Sequence, residues 1–169
     1  MALALAHPAG DIELEPSNAT APTDLGGSLS EVLVGEAHDR VRLTDFTVER
    51  TGKRCSGRVQ VSWNGSGTFV GEAEDEDSHI GRLGCAARAT AAALERAVGG
   101  RAVVAVDGVR TISGFETVLV AVAVSFSTET MDERVSGCAV VKGQPGRGAV
   151  LAVLSATNRL LARAFERDA

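Results

Sequence analysis

The strongest constraint in this chain is an order of elements that occurs twice. Apolar alternation begins after Arg40, where Val41 and Leu43, then Phe46 and Val48, predict a strand with one buried face. Over residues 58–63, Val59, Val61 and Trp63 point one way. Asn64-Gly65 is the dipeptide most favoured in tight hairpin turns, so residues 68–73 are expected to return antiparallel. An acidic loop, Glu74 to Asp77, then leads to Ser78, a predicted N-cap for a helix from about His79 to Val98 that Gly99-Gly100 stops. Further on, strands are predicted over 102–112, 118–126 and 134–141. A Gly/Pro turn at 143–148 leads into a helix over about 149–165.

Both runs read strand, strand, strand, helix, and corresponding residues keep nearly constant separations. Asp45 to Asp107 is 62, Gly71 to Gly137 is 66 and Arg96 to Arg159 is 63. Drifts of that size are what loop insertions leave between two copies of one unit. The expected architecture is α+β: a tandem, pseudo-symmetric βββα repeat with antiparallel sheets and two packed helices, its units at about 41–100 and 101–169 of a single domain over 39–169. Ahead of it, residues 1–38 contain Pro8, Pro16 and Pro22 and no sustained apolar period, which predicts a flexible leader. Within that leader, residues 28–37 (SLSEVLVGEA) could form a short element that docks on the body.

Composition narrows the partners. Lys+Arg 17 against Asp+Glu 22 gives a net charge of −5, which opposes nucleic-acid phosphates or an anionic membrane as partner. Aromatics are 4% with no Tyr, too few for a base- or sugar-stacking platform. No apolar run approaches the ~20 residues of a membrane span. Cys55, Cys85 and Cys138 form no C-x-x-C pair, and the start carries no export signal, so reduced thiols and a cytoplasmic location are expected.

The leading site is the segment between the last strand and the last helix. Lys142, Gly146, Arg147 and Gly148 combine two cations with glycines that let backbone N–H groups approach an anion, a cradle suited to a carboxylate or phosphate. No Gly-Lys-Ser/Thr follows, so no nucleotide is implied, and an ordinary turn accounts for the same residues. The acidic run with His79 offers metal-type ligands, but acids before a helix N-terminus complement its partial positive charge, and no metal or other cofactor is expected. Ser78 next to His79 reads as a cap rather than a nucleophile. The cysteines read as small hydrophobes in apolar surroundings. No catalytic residue is assigned. The Ala-rich first helix, with Ala86, Ala87, Ala89, Ala91, Ala92, Ala93 and Ala97, suits either a helix–helix dimer contact or packing on its own sheet.

Roughly residues 41–165 resemble a known family, most specifically in the closing helix. Val135-Ser136-Gly137 through Val141 looks like the last strand, and residues 152–161 (AVLSATNRLL) like the closing helix, of the C-terminal regulatory domain of 2-isopropylmalate synthase and its citramalate synthase relatives. That domain is a tandem βββα repeat that dimerises and binds the end-product amino acid, which inhibits a separate catalytic barrel. Here no His-x-His metal pair occurs, 169 residues leave no room for the barrel, and Glu74–Ser78 and Lys142–Gly148 replace the family's loop signatures. The resemblance implies a non-catalytic, dimeric module that takes a small anionic ligand, a carboxylate or amino acid. The alternatives are a small enzyme acting on an acyl or carboxylate substrate through the acidic loop or Cys138, and a structural partner of a larger enzyme.

Overall fold

A computed structural model describes residues 40–63, 67–114 and 116–165. The expected leader, with its segment 28–37, and the Asn64-Gly65 turn lie outside the described residues. The elements are β1 (Arg42–Thr51), β2 (Arg54–Ser62), β3 (Thr68–Glu76), α1 (His79–Ala97), β4 (Val103–Gly114), β5 (Thr117–Ser127), β6 (Asp132–Val140) and α2 (Pro145–Phe165). They make two antiparallel sheets, β1-β2-β3 and β4-β5-β6, each followed by its helix, so the fold is α+β with a βββα repeat.

The odd spacing of apolar residues in β1 has a structural cause. Leu43 pairs with Val61 and Asp45 with Gln60, so Thr44 is an inserted bulge residue, and Leu43 and Phe46 share the inner face although three positions apart. In β4 the register slips in the same way between Val106 and Gly108, with Asp107 inserted. The bulges align Thr44 with Asp107, so Asp45 corresponds to Gly108 and not to Asp107 as the sequence separation suggested. The third strands correspond as expected. Gly71 sits opposite Val59, and Gly137 opposite Val122.

Those two glycines decide how closely each helix lies on its sheet. A Cβ on Gly71 would stand 2.0 Å from the Ala89 carbonyl oxygen and 2.3 Å from the Ala93 nitrogen. On Gly137 it would stand 2.1 Å from the Ala152 oxygen and 2.9 Å from the Ala156 nitrogen. Backbone-to-backbone contact explains why the facing helix positions are alanines: small side chains bury little area each, and close approach recovers the packing. Ala86, Ala87, Ala89 and Ala93 are fully buried, with α1 lying on β2, β3 and α2. The alanine face is therefore used inside the body.

Each helix also grips the beginning of a first strand. The Val104 N–H donates to Glu95 Oε1 of α1 at 2.8 Å, and the Val41 N–H donates to Asn158 Oδ1 of α2 at 3.0 Å. At the same end, the Phe165 ring meets Trp63 edge-on with centroids 5.8 Å apart and carries the Arg101 guanidinium 4.5 Å above its centre.

Two element boundaries correct the sequence reading. Glu74, Asp75 and Glu76 are not loop residues; they continue β3 in register with Ser56, Cys55 and Arg54. Their like charges are tolerated there because strand alternation sends neighbours to opposite faces, where Arg54 pairs with Glu74 and Arg88 with Asp75. Helix α2 begins at Pro145, four residues before the expected start. Proline at a first helical position lacks only an N–H that would have no helical partner, and its fixed φ suits the helix. At the other predicted ends, Ser78 does cap α1, its Oγ accepting from the Gly81 N–H at 2.9 Å, and Gly99 and Gly100 leave the helix at φ 63° and 74°.

Candidate functional site

The cleft that gathers the expected cations lies between the β1 bulge and the first turn of α2. It encloses about 420 Å³ and is lined by Leu43, Thr44, Asp45, Phe46, Lys142, Gln144 and Arg147. Gly143, at φ 82°, turns the chain from β6 toward the helix. Gly146 then faces the Phe46 ring, where a Cβ would stand 2.7 Å from Cζ, and Gly148 is buried against Val120 and Val141. The absence of side chains at 146 and 148 thus seats the helix start on the two sheets. Of the four residues expected to form an anion cradle, Lys142 and Arg147 border the cleft, while Gly146 and Gly148 are packing positions within the first helical turn.

Lys142 and Arg147 are exposed, and neither makes an ion pair or side-chain hydrogen bond among the described residues. The Arg147 N–H itself is taken by the Gln144 carbonyl at 3.1 Å. The 21-residue helix adds the partial positive charge of its N-terminus to the same wall. Asp45 is the one carboxylate on the rim among the described residues, and Leu43 and Phe46 supply an apolar surface. Sequence reasoning missed these β1 residues, because the cleft forms only when α2 of the second unit meets β1 of the first. The only local signal was the three-residue spacing from Leu43 to Phe46.

A larger cleft of about 690 Å³ lies between the β1–β2 turn and the start of α1, lined by residues 52–54 and 74–78. Three of its carboxylates are paired with arginines. Glu74 pairs with Arg54 at 3.0 Å, Asp75 with Arg88, and Asp77 with Arg82 at 3.3 Å and Arg50 at 3.7 Å. The Arg88 hydrogen bond holds the Asp75 carboxyl below its ordinary pKa, burial opposing it in part. Acids already held by arginines are poor general bases and poor metal ligands. Among the described residues no group of three or more His, Cys, Asp or Glu side chains is placed to hold a metal ion.

The thiols divide into two kinds. Cys55 and Cys85 are buried side by side between β2 and α1, the Cys85 thiol donating to the Ala73 carbonyl at 3.0 Å. Burial first, and the neighbouring Cys55 second, push the Cys85 thiol up to about 11. Cys138 departs from the expectation of apolar burial. Strand phase in β6 turns its neighbour Gly137 toward α2 and leaves Cys138 exposed on the outer face.

No described helix is long and apolar enough to cross a membrane. No family model matches the chain, and no curated protein matches it.

Proposed function

We propose that the protein is a non-catalytic regulatory module that binds a small carboxylate, most simply an α-amino acid, in the cleft between β1 and α2, and that it works as a dimer. This is the behaviour implied by its resemblance to the regulatory domains of 2-isopropylmalate synthases. The observation that carries the reading is the charge arrangement of the cleft: two cations without partners among the described residues, beside a helix N-terminus, one carboxylate, and an apolar surface between them. Lys142 and Arg147 suit a carboxylate, Asp45 suits an ammonium group, and Leu43 with Phe46 suits an aliphatic side chain.

A thermal-shift screen of amino acids, 2-oxo acids and acyl thioesters on the purified protein tests it. A ligand at ~100 times its Kd stabilises the fold by about 2.7 kcal/mol. Arg147→Ala is expected to weaken that ligand about ten- to a hundredfold with the melting temperature of the free protein unchanged. Full affinity in Arg147→Ala and Lys142→Ala would move the site elsewhere. Turnover of an acyl thioester would overturn the non-catalytic reading.

A further inference from the structure

The repeat contains its own control for what a solvent-facing sheet looks like in this protein. On the outer face of the first sheet, one cross-strand row is Glu49, Ser56 and Glu74, and the next is Thr47, Arg58 and Glu72. Residues at the same places in the second sheet are Ile112, Leu119 and Val140, and then Arg110, Ala121 and Cys138. Ile112 is 49% exposed and Val140 44%. The two faces share topology, register and bulge, so the replacement of charges by apolar residues at matched positions is not dictated by the fold. It is what a face withdrawn from water requires.

We infer that the outer face of β4-β5-β6 is the surface on which a second copy of this chain docks, sheet against sheet. Charge points to a second copy. The chain carries −5 overall, and two copies repel least through a face with no net charge. This face holds Arg110 and Arg134 against Asp107 and Asp132, with Arg134 and Asp107 already paired at 2.8 Å. Size agrees. Strands of 12, 11 and 9 residues, at ~3.4 Å per residue and ~4.8 Å apart, present about 500 Å² each, so a pair covers about 1,000 Å², the lower bound for a specific dimer. Gly108, Ala121, Ala123 and Ser136 keep the middle of the face low enough for two sheets to approach. The inference gives a surface to the dimer proposed above and rests on none of the cleft residues, so loss of ligand binding and loss of pairing are separate results.

The test transplants the first sheet's row into the second: Ile112→Glu, Leu119→Ser and Val140→Glu together in the full chain. Light scattering at tens of micromolar is expected to give a dimer mass for the parent protein and a monomer mass for the variant, with unchanged circular dichroism and dissociation at least about a hundredfold easier. Maleimide labelling reads the same face, since Cys55 and Cys85 are buried. Cys138 is expected to react at least about tenfold faster in the variant. Should the triple variant lose its native circular dichroism, Ala121→Arg, which copies Arg58, gives the same readouts. A monomeric parent protein overturns the inference, whether Cys138 reacts fast because the face is open or slowly because another part of the chain covers it. So does a dimer that persists in a folded variant.

Discussion

The side-chain amide of Asn158 holds both backbone polar groups of Val41: Oδ1 accepts from its N–H at 3.0 Å, and Nδ2 donates to its carbonyl at 3.4 Å. Val41 is buried, and these bonds span 117 positions of sequence. Asn158 occupies the place in α2 that Glu95 occupies in α1, and Val41 the place of Val104. The contact is one of two equivalent fastenings rather than an isolated polar bridge.

Asn158→Ala is expected to destabilise the protein by about 1–3 kcal/mol, because it strands a buried donor and acceptor at the start of β1. Asn158→Asp keeps an acceptor for the Val41 N–H and should fall between the two. Urea unfolding measures the difference. A loss below a few tenths of a kcal/mol in Asn158→Ala would mean that water replaces the amide without cost.

Gly71→Ala and Gly137→Ala are each expected to cost about 3 kcal/mol or more, or to prevent folding, since the added carbon overlaps helix backbone and not the end of a flexible side chain. Gly114→Ala, with open space around the new carbon, should change stability by less than about 0.5 kcal/mol. Equal effects at the three positions would contradict the close helix–sheet approach.

Stability should fall at both extremes of pH, for different groups. The Asp75 carboxyl is held low by Arg88, so its contribution is complete above the ordinary carboxylate range and is lost as pH falls through its depressed folded value. Asp75→Asn should melt earlier than the parent at neutral pH and converge with it in acid. The Cys85 thiol is raised from 9.0 to about 11, so as pH climbs the unfolded chain ionises first and the folded state loses stability between those values. Cys85→Ala should remove that alkaline loss, which melting curves from pH 8 to 11 would show.

Much of the fold was legible because it rests on local pattern. Alternation located all six strands, and Ser78 with Gly99-Gly100 located α1 within a residue or two. The bulges were visible only as a broken period at Leu43 and Phe46, which without the pairing partners cannot be told from the end of a strand. Glu74, Asp75 and Glu76 look like loop residues because, with Asp77, they make a run of four charges that suggests solvation. Arg54 and Arg88, which pair with Glu74 and Asp75, come from other elements. The site was half legible for the same reason. Lys142 and Arg147 are close in sequence, whereas Asp45 and Phe46 reach the cleft only through contact between the units. The outer sheet faces could be compared only once the register had fixed which residues correspond.

The paired fastenings Glu95 to Val104 and Asn158 to Val41 make the body a closed ring of two grips, α1 on β4 and α2 on β1. What the peptide chain does between residues 98 and 103, side-chain hydrogen bonding and packing around Phe165 do between the end of α2 and the start of β1. Covalent continuity is thus required at neither junction by the architecture itself. One βββα unit that obeyed these rules on its own would close into the same body by meeting its duplicate around a twofold axis. The two-unit chain is equivalent to that assembly with a single link between its halves, which leaves the two outer sheet faces free to differ.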